Sequence, residues 1–226
     1  MKNGILAIAI LFMIGQLQAQ LKVGIHGGTD INNINISGVP DMITDLKQNT
    51  TNGSYGIHAE MPLGSNVSLR GELNHTRKGF DLNESFTNEL IGMNFPIGIK
   101  ANTKLSYVEV PLLIAYTKPL GNINLIGEAG PVLAYGISGR IQPIATLGLD
   151  FTLPEINVNF KNDGFNRINA GGSVGLAVET VLAENVSLYA KTRYTHSFTD
   201  ILNNPIVDIK TKANTVHFGI GINYTI

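Results

Sequence analysis

Hydrophobic and polar residues alternate along most of this chain with a period of two. At the C-terminal end Val216, Phe218, Ile220, Ile222, Tyr224 and Ile226 form one row, and His217, Gly219, Gly221, Asn223 and Thr225 form the other. Val186, Leu188, Ala190 and Tyr194 likewise oppose Ser187, Tyr189, Lys191, Arg193 and Thr195. Earlier, Val67, Leu69, Gly71 and Leu73 oppose Ser68, Arg70, Glu72, Asn74 and Thr76, and Tyr55, Ile57, Ala59 and Met61 oppose Ser54, His58 and Glu60. Successive side chains of a strand point to opposite faces, so each segment predicts a strand with one apolar and one polar face. The pattern places eight strands at 20–28, 51–62, 66–80, 103–117, 122–136, 167–181, 185–198 and 213–226.

The connections alternate in length. Leu63-Gly64-Ser65, Lys118-Pro119-Leu120-Gly121 and Leu182-Ala183-Glu184 are short, whereas 29–50, 81–102, 137–166 and 199–212 are long. Short turns on one side and long loops on the other characterise outer-membrane barrels, and an even strand count puts both termini on the short-turn side. The expectation is an all-β chain, an eight-stranded antiparallel transmembrane β-barrel with short periplasmic turns and long extracellular loops. Tyr116 and Tyr224 fall on apolar rows near the short turns; Tyr55, Tyr135 and Tyr194 fall on apolar rows near the long loops. Two belts of amphipathic rings are what the two lipid–water interfaces select.

The polar row carries long charged side chains in mid-strand: Lys22, Glu60, Arg70, Glu72, Glu109, Glu128, Glu179, Lys191 and Arg193. The neighbouring row is mostly Val, Leu, Ile and Ala, as lipid contact requires. An eight-stranded barrel is just wide enough to be filled by side chains. The charges are therefore expected in the lumen, as a structural ion-pair network with near-balanced signs. A soluble barrel of the lipocalin type, with charges outside, is the alternative.

Composition narrows the picture. There is no Cys, so no disulfide and no thiolate chemistry. The net charge of −1 argues against a nucleic-acid partner. Lys2, the apolar run Gly4–Gly15 and the small residue Ala19 predict a signal peptide over 1–19, leaving the barrel at 20–226. The expected location is the bacterial outer membrane, with lipid and the barrel-assembly machinery as partners.

The segment Tyr107-Val108-Glu109-Val110-Pro111-Leu112-Leu113 resembles the Y-x-E-x-P-L-L segment of the small Bacteroidetes-type outer-membrane β-barrel family, also called porin-family or PorT-like. Glu128-Ala129-Gly130-Pro131, Gly171-Gly172-Ser173-Val174-Gly175-Leu176, Tyr194 with Ser197 and Asp200-Ile201, and Asn214, Phe218, Gly221 and Tyr224 resemble later strands of that family. Such barrels commonly end in an aromatic residue, whereas the last residue here is Ile226, with Tyr224 two before it. The resemblance marks Tyr107, Glu109 and Pro111 as family-motif positions and implies a role in secretion or surface assembly. Pro111 lacks a ladder donor, so a bulge is expected near Glu109–Pro111.

Candidate chemistry is sparse. His26, His58 and His217 share lumen parity on neighbouring strands and are expected to complete the polar network, with a metal or proton site as the alternative. His196 and Ser197 fall on opposite faces and form no ready dyad with Asp200. No catalytic, cofactor or metal residue is assigned, and no cofactor is expected. The apolar residues of 137–166 suggest either strands continuing beyond the membrane or a surface that binds a protein partner. Three functions compete: a non-enzymatic barrel acting through its external loops, a small porin for ions or solutes, and a barrel enzyme.

Overall fold

The computed structural model describes residues 21–37, 47–90, 93–147, 149–158, 160, 165–201 and 210–226. The signal-peptide expectation for 1–19 and the central parts of two long connections lie outside them. Eight long strands run β1 (Lys22–Ser37), β2 (Thr50–Pro62), β3 (Val67–Leu90), β4 (Met93–Leu120), β5 (Ile123–Leu147), β6 (Ile168–Ala183), β7 (Val186–Ser197) and β8 (Lys210–Thr225). Each pairs antiparallel with its sequence neighbour, and β8 pairs with β1 from Lys22↔Thr225 to Ser37↔Lys210, which closes the ring.

The turns on the short side are tight. Leu120 pairs with Ile123 around Gly121, whose φ of 64° is the left-handed conformation such a two-residue loop requires. Ala183 pairs with Val186 across Glu184–Asn185. Asn66 ties the remaining turn to β4, accepting from the Thr117 amide at 2.8 Å and donating from Nδ2 to the Thr117 carbonyl at 2.8 Å.

The predicted strands are all present, but several run further at the long-loop end. β3, β4 and β5 have 24, 28 and 25 residues, against about 9–11 needed to cross the bilayer. The 81–102 connection is thus not a loop: β3 and β4 stay paired to Leu90↔Met93. The 137–166 connection continues β5 as a hairpin, with Leu149–Thr152 pairing back on Ile144–Leu147 and Ile156–Val158 on Gly139–Ile141.

The expected bulge at Pro111 is corrected. The register of β4 on both neighbours is the same on either side of Pro111, and Pro111 itself pairs with Val132. Individual bridges lapse at 110–111 toward β3 and at 112–113 toward β5, which accommodates the missing donor without an inserted residue. Gly130 lies so close to the Leu112 carbonyl that a Cβ there would collide with it, so this stretch of β4 and β5 is packed backbone to backbone. The register shift lies one turn of the pleat earlier: Ser106 pairs with Ser138 and Tyr107 with Gly136, leaving Ile137 as the extra residue. Both Ile137 and Ser138 are exposed, so the outward row of β5 changes from odd to even numbers there.

The faces divide as lipid demands. Ile25, Ile57, Leu73, Leu112, Leu133, Leu176, Leu188, Ile220 and Ile222 point outward and are exposed. Glu60, Arg70, Glu72, Glu128, Glu179, Lys191 and Arg193 point inward and are buried. A water-soluble barrel would have these rows reversed.

The candidate functional site: lumen and outer mouth

The lumen is built by the polar parity of every strand. In the β2–β3 hairpin Glu60 stands directly opposite Arg70, and His58 opposite Glu72. Arg70 donates to Glu60 from Nη2 at 2.5 Å and from Nε at 2.9 Å, and from Nη1 to Glu128 at 2.9 Å. Arg193 donates through Nε to Glu128 at 2.8 Å and through Nη1 and Nη2 to Glu72 at 2.6 and 2.7 Å. Its Nη2 also contacts Glu128. Lys191 adds a contact to Glu72 at 3.2 Å. One continuous chain therefore links Glu60, Arg70, Glu128, Arg193, Glu72 and Lys191 across the barrel.

Two sequence-marked groups stand apart from this chain. Lys22 pairs with Glu179 at 3.0 Å toward the short-turn end, where Ser187 and Asn223 also donate to Glu179 at 2.5 and 2.6 Å. Glu109 meets Lys78 at 2.7 Å, a partner the sequence reading did not mark. Lys78 has the parity of Arg70, so the signal was present one pleat beyond the residues assigned to that polar row. Asp30 was missed for a similar reason, since β1 was expected to stop at 28. It accepts from Thr76 at 2.7 Å.

The three histidines do come together: His26 lies 5.9 Å from His58 and 6.1 Å from His217, ring centre to ring centre. His58 also meets the Tyr189 hydroxyl at 3.4 Å, and His26 the Lys191 ammonium at 3.3 Å. Among the described residues no three acidic or imidazole groups converge as a cation site. Ser54, His217 and Asp30 superficially suggest a nucleophile relay. However, Ser54 Oγ at 3.2 Å and Asp30 Oδ1 at 2.7 Å both address Nδ1 of His217. A relay needs the acid on one ring nitrogen and the hydroxyl on the other, so this arrangement cannot pass a proton from Ser54. His196 points away from buried Ser197 and contacts Asn214 at 2.6 Å.

Above the ionic layer the lumen narrows to a polar cavity of about 30 Å³, lined by His26, Asp30, Asn74, Glu109, Arg193 and His217 among others. Its polar lining and small size suit a few ordered waters. An apolar cluster then covers the outer end on the β4, β5 and β8 side. Leu105 and Tyr107 from β4, Ala134 from β5 and Ala213 from β8 are covered by Val158, Phe165 and Ile201 from the external connections. Phe160 packs edge-on to both Tyr107 and Phe165, at 5.9 and 6.5 Å. The apolar 137–166 segment thus sends part of its side chains inward as a cap. Leu149, Phe151, Leu153 and Ile156 remain exposed on the external hairpin. Tyr107 and Pro111 of the motif are fully buried on the lumen side, Tyr107 within the cap.

A family model described as "Outer membrane protein beta-barrel domain" matches residues 16–203. The chain belongs to that family. It is an outer-membrane β-barrel protein, and its place is the bacterial outer membrane. Strand β8, which closes the ring, lies beyond the matched residues. Comparison with curated proteins finds no match. Solved barrels are similar at low identity. A major outer membrane protein of Thermus thermophilus is 12% identical with a TM-score of 0.49, over 93% of this chain and 100% of that one. OprG of Pseudomonas aeruginosa is 14% identical with a TM-score of 0.46, over 92% and 96%. Neisserial surface protein A is 12% identical with a TM-score of 0.46, over 90% and 97%.

Proposed function

We propose that this outer-membrane barrel is non-enzymatic and non-conducting and that it works through its external surface. The filled lumen carries this reading. The Glu60-to-Lys191 ion-pair chain crosses it, about 30 Å³ of space remains above, and Phe165 and Ile201 cover the outer end. Among the described residues, this filling of the column opposes the passage of a hydrated ion. The extended β3–β4 and β5 hairpins are the surface left for contact, and the exposed Leu149, Phe151, Leu153 and Ile156 favour a protein partner there. The Tyr107–Leu113 resemblance supports a role in secretion or surface assembly of the PorT-like kind. Export uses the signal peptide over 1–19, and the mature chain starts at Gln20. The lumen residues Lys22, Glu60, Arg70, Glu72, Glu109, Glu128, Glu179, Lys191 and Arg193 serve this reading as structure, not as a binding site.

Planar-bilayer recording of the refolded full barrel tests it. Silent membranes containing heat-modifiable, folded protein are expected. Reproducible unit conductance steps would overturn the reading in favour of a small porin.

A further inference from the structure

We propose that a polar concavity on the outer wall of β3, β4 and β5 binds the phosphate-bearing head group of an outer-leaflet lipid. This goes beyond the contact role of the hairpins and does not depend on it.

The strand register places the site relative to the outer aromatic residues on each strand. Tyr55, His75, Val108 and Tyr135 lie in one row across β2 to β5, with the Tyr55 and His75 rings stacked at 5.0 Å. This is the outer aromatic belt. The next outward row is Arg77, Ser106 and Ser138, and the one after it is Gly79, Lys104 and Arg140. Each row adds two residues, about 7 Å along a strand. The three cations therefore stand within roughly 14 Å of that row along the tilted strands, on the outer side toward the polar head-group region.

The shape fits as well. The short side chains of Ser106 and Ser138 leave a concavity of about 430 Å³, and Arg77, Lys104, Arg140, Asn102 and Gln142 line it with donors. Arg77, Lys104 and Arg140 are all exposed. Two acids oppose them. Glu155 reaches Arg140 at 3.4 Å, and Asp81 lies near enough to Lys104 to feel its charge. The Arg140–Glu155 pair is solvent-exposed on both sides, and such pairs contribute little, so a dianionic phosphate with three acceptor oxygens can displace it. The walls are polar, which suits a phosphorylated sugar or glycerol head group, while the lipid-facing band below receives its chains.

Nanodiscs holding the full-length folded protein and either bisphosphorylated lipid A or its dephosphorylated form provide the test, read by native mass spectrometry of the released barrel. Wild type should retain the phosphorylated lipid roughly tenfold or more over the dephosphorylated one. The triple variant Arg77→Gln, Lys104→Gln, Arg140→Gln should lose that preference while keeping its heat-modifiable migration. Lys118→Gln, at the short-turn end, should not. Equal retention of the two lipids by wild type, or full retention by the triple variant, would overturn the proposal. Displacement of the lipid by excess inorganic phosphate would identify a small-anion site and overturn the head-group assignment.

Discussion

Glu128 on β5 holds Arg70 and Arg193 at once, one guanidinium on each side of its carboxylate, at 2.9 and 2.8 Å through Arg70 Nη1 and Arg193 Nε. Two cations from strands far apart in the ring are thereby joined through one anion, and each is finished by a second acid, Glu60 or Glu72.

Removing one member of such a buried chain should cost far more than the pair contributes. Arg70 is 1% exposed, and Arg70→Met would leave Glu60 with only Ser68 and deprive Glu128 of one partner. A loss of about 3–5 kcal/mol is expected. Urea unfolding of the detergent-refolded barrel measures it. The double variant Glu60→Gln, Arg70→Met should lose less than the sum of the single variants.

The two faces should respond oppositely to charge. Ile220 is 67% exposed in the middle of β8. Ile220→Lys places an ammonium in lipid and should cost about 2–4 kcal/mol when the barrel is folded into bilayers. In detergent micelles, where the head reaches water more easily, the cost should shrink. An equal, negligible effect in both media would mean that this face does not meet lipid.

Phe165 anchors the outer cap. Phe165→Ala deletes its packing against Phe160 and the buried Leu105–Tyr107 cluster and should destabilise that end by about 3 kcal/mol. Proteolysis within the external connections should accelerate. Bilayer recordings should stay silent, because the ion-pair chain beneath is untouched.

At the tip of the β5 hairpin, Asp150 accepts from Thr146 at 2.6 Å and from Lys100 at 3.0 Å. The Thr146 hydroxyl first, and Lys100 with it, hold this exposed carboxyl below the usual Asp range. A depressed folded-state pKa means that the contact is intact above the unfolded-state value and is lost as the pH falls through the lowered one. NMR of the Thr146 and Lys100 signals should show no change on acidification until below the ordinary Asp range. Asp150→Asn should abolish that acid transition.

The parts of the fold legible in the sequence are those where one face meets lipid. β7 and β8 alternate cleanly because Leu188, Ile220 and Ile222 point into the bilayer while Lys191, Arg193 and Asn223 point inward. Past Leu73 on β3 the outward residues are His75 and Arg77, so the apolar row ends there. The Asn-, Thr- and Ser-containing first half of 81–102 reads as a loop, although Met93, Phe95, Ile97, Ile99 and Ala101 alternate in the second half and β3 and β4 stay paired to Leu90↔Met93. β5 fails for a different reason: the extra residue Ile137 swaps the faces, so the apolar row cannot be followed beyond it. The lumen charges were legible from parity alone, but their partners were not, since the spacing along the chain does not reveal which strands face one another across the ring.

The ion pairs that fill the lumen join residues 121 positions apart in Arg193–Glu72 and 157 apart in Lys22–Glu179. Neither of these two can form while the sheet is open, unlike Glu60–Arg70 on adjacent strands. A nascent curl of β3 to β6 would carry Arg70 and Glu128 with half their contacts and Glu72 with no guanidinium, and would be held back by that deficit. Docking of β8 against β1 brings the last charges into place at the same moment as the last backbone ladder. Neutralisation and ring closure become a single late event, which makes assembly slow to begin, cooperative at the end and hard to reverse.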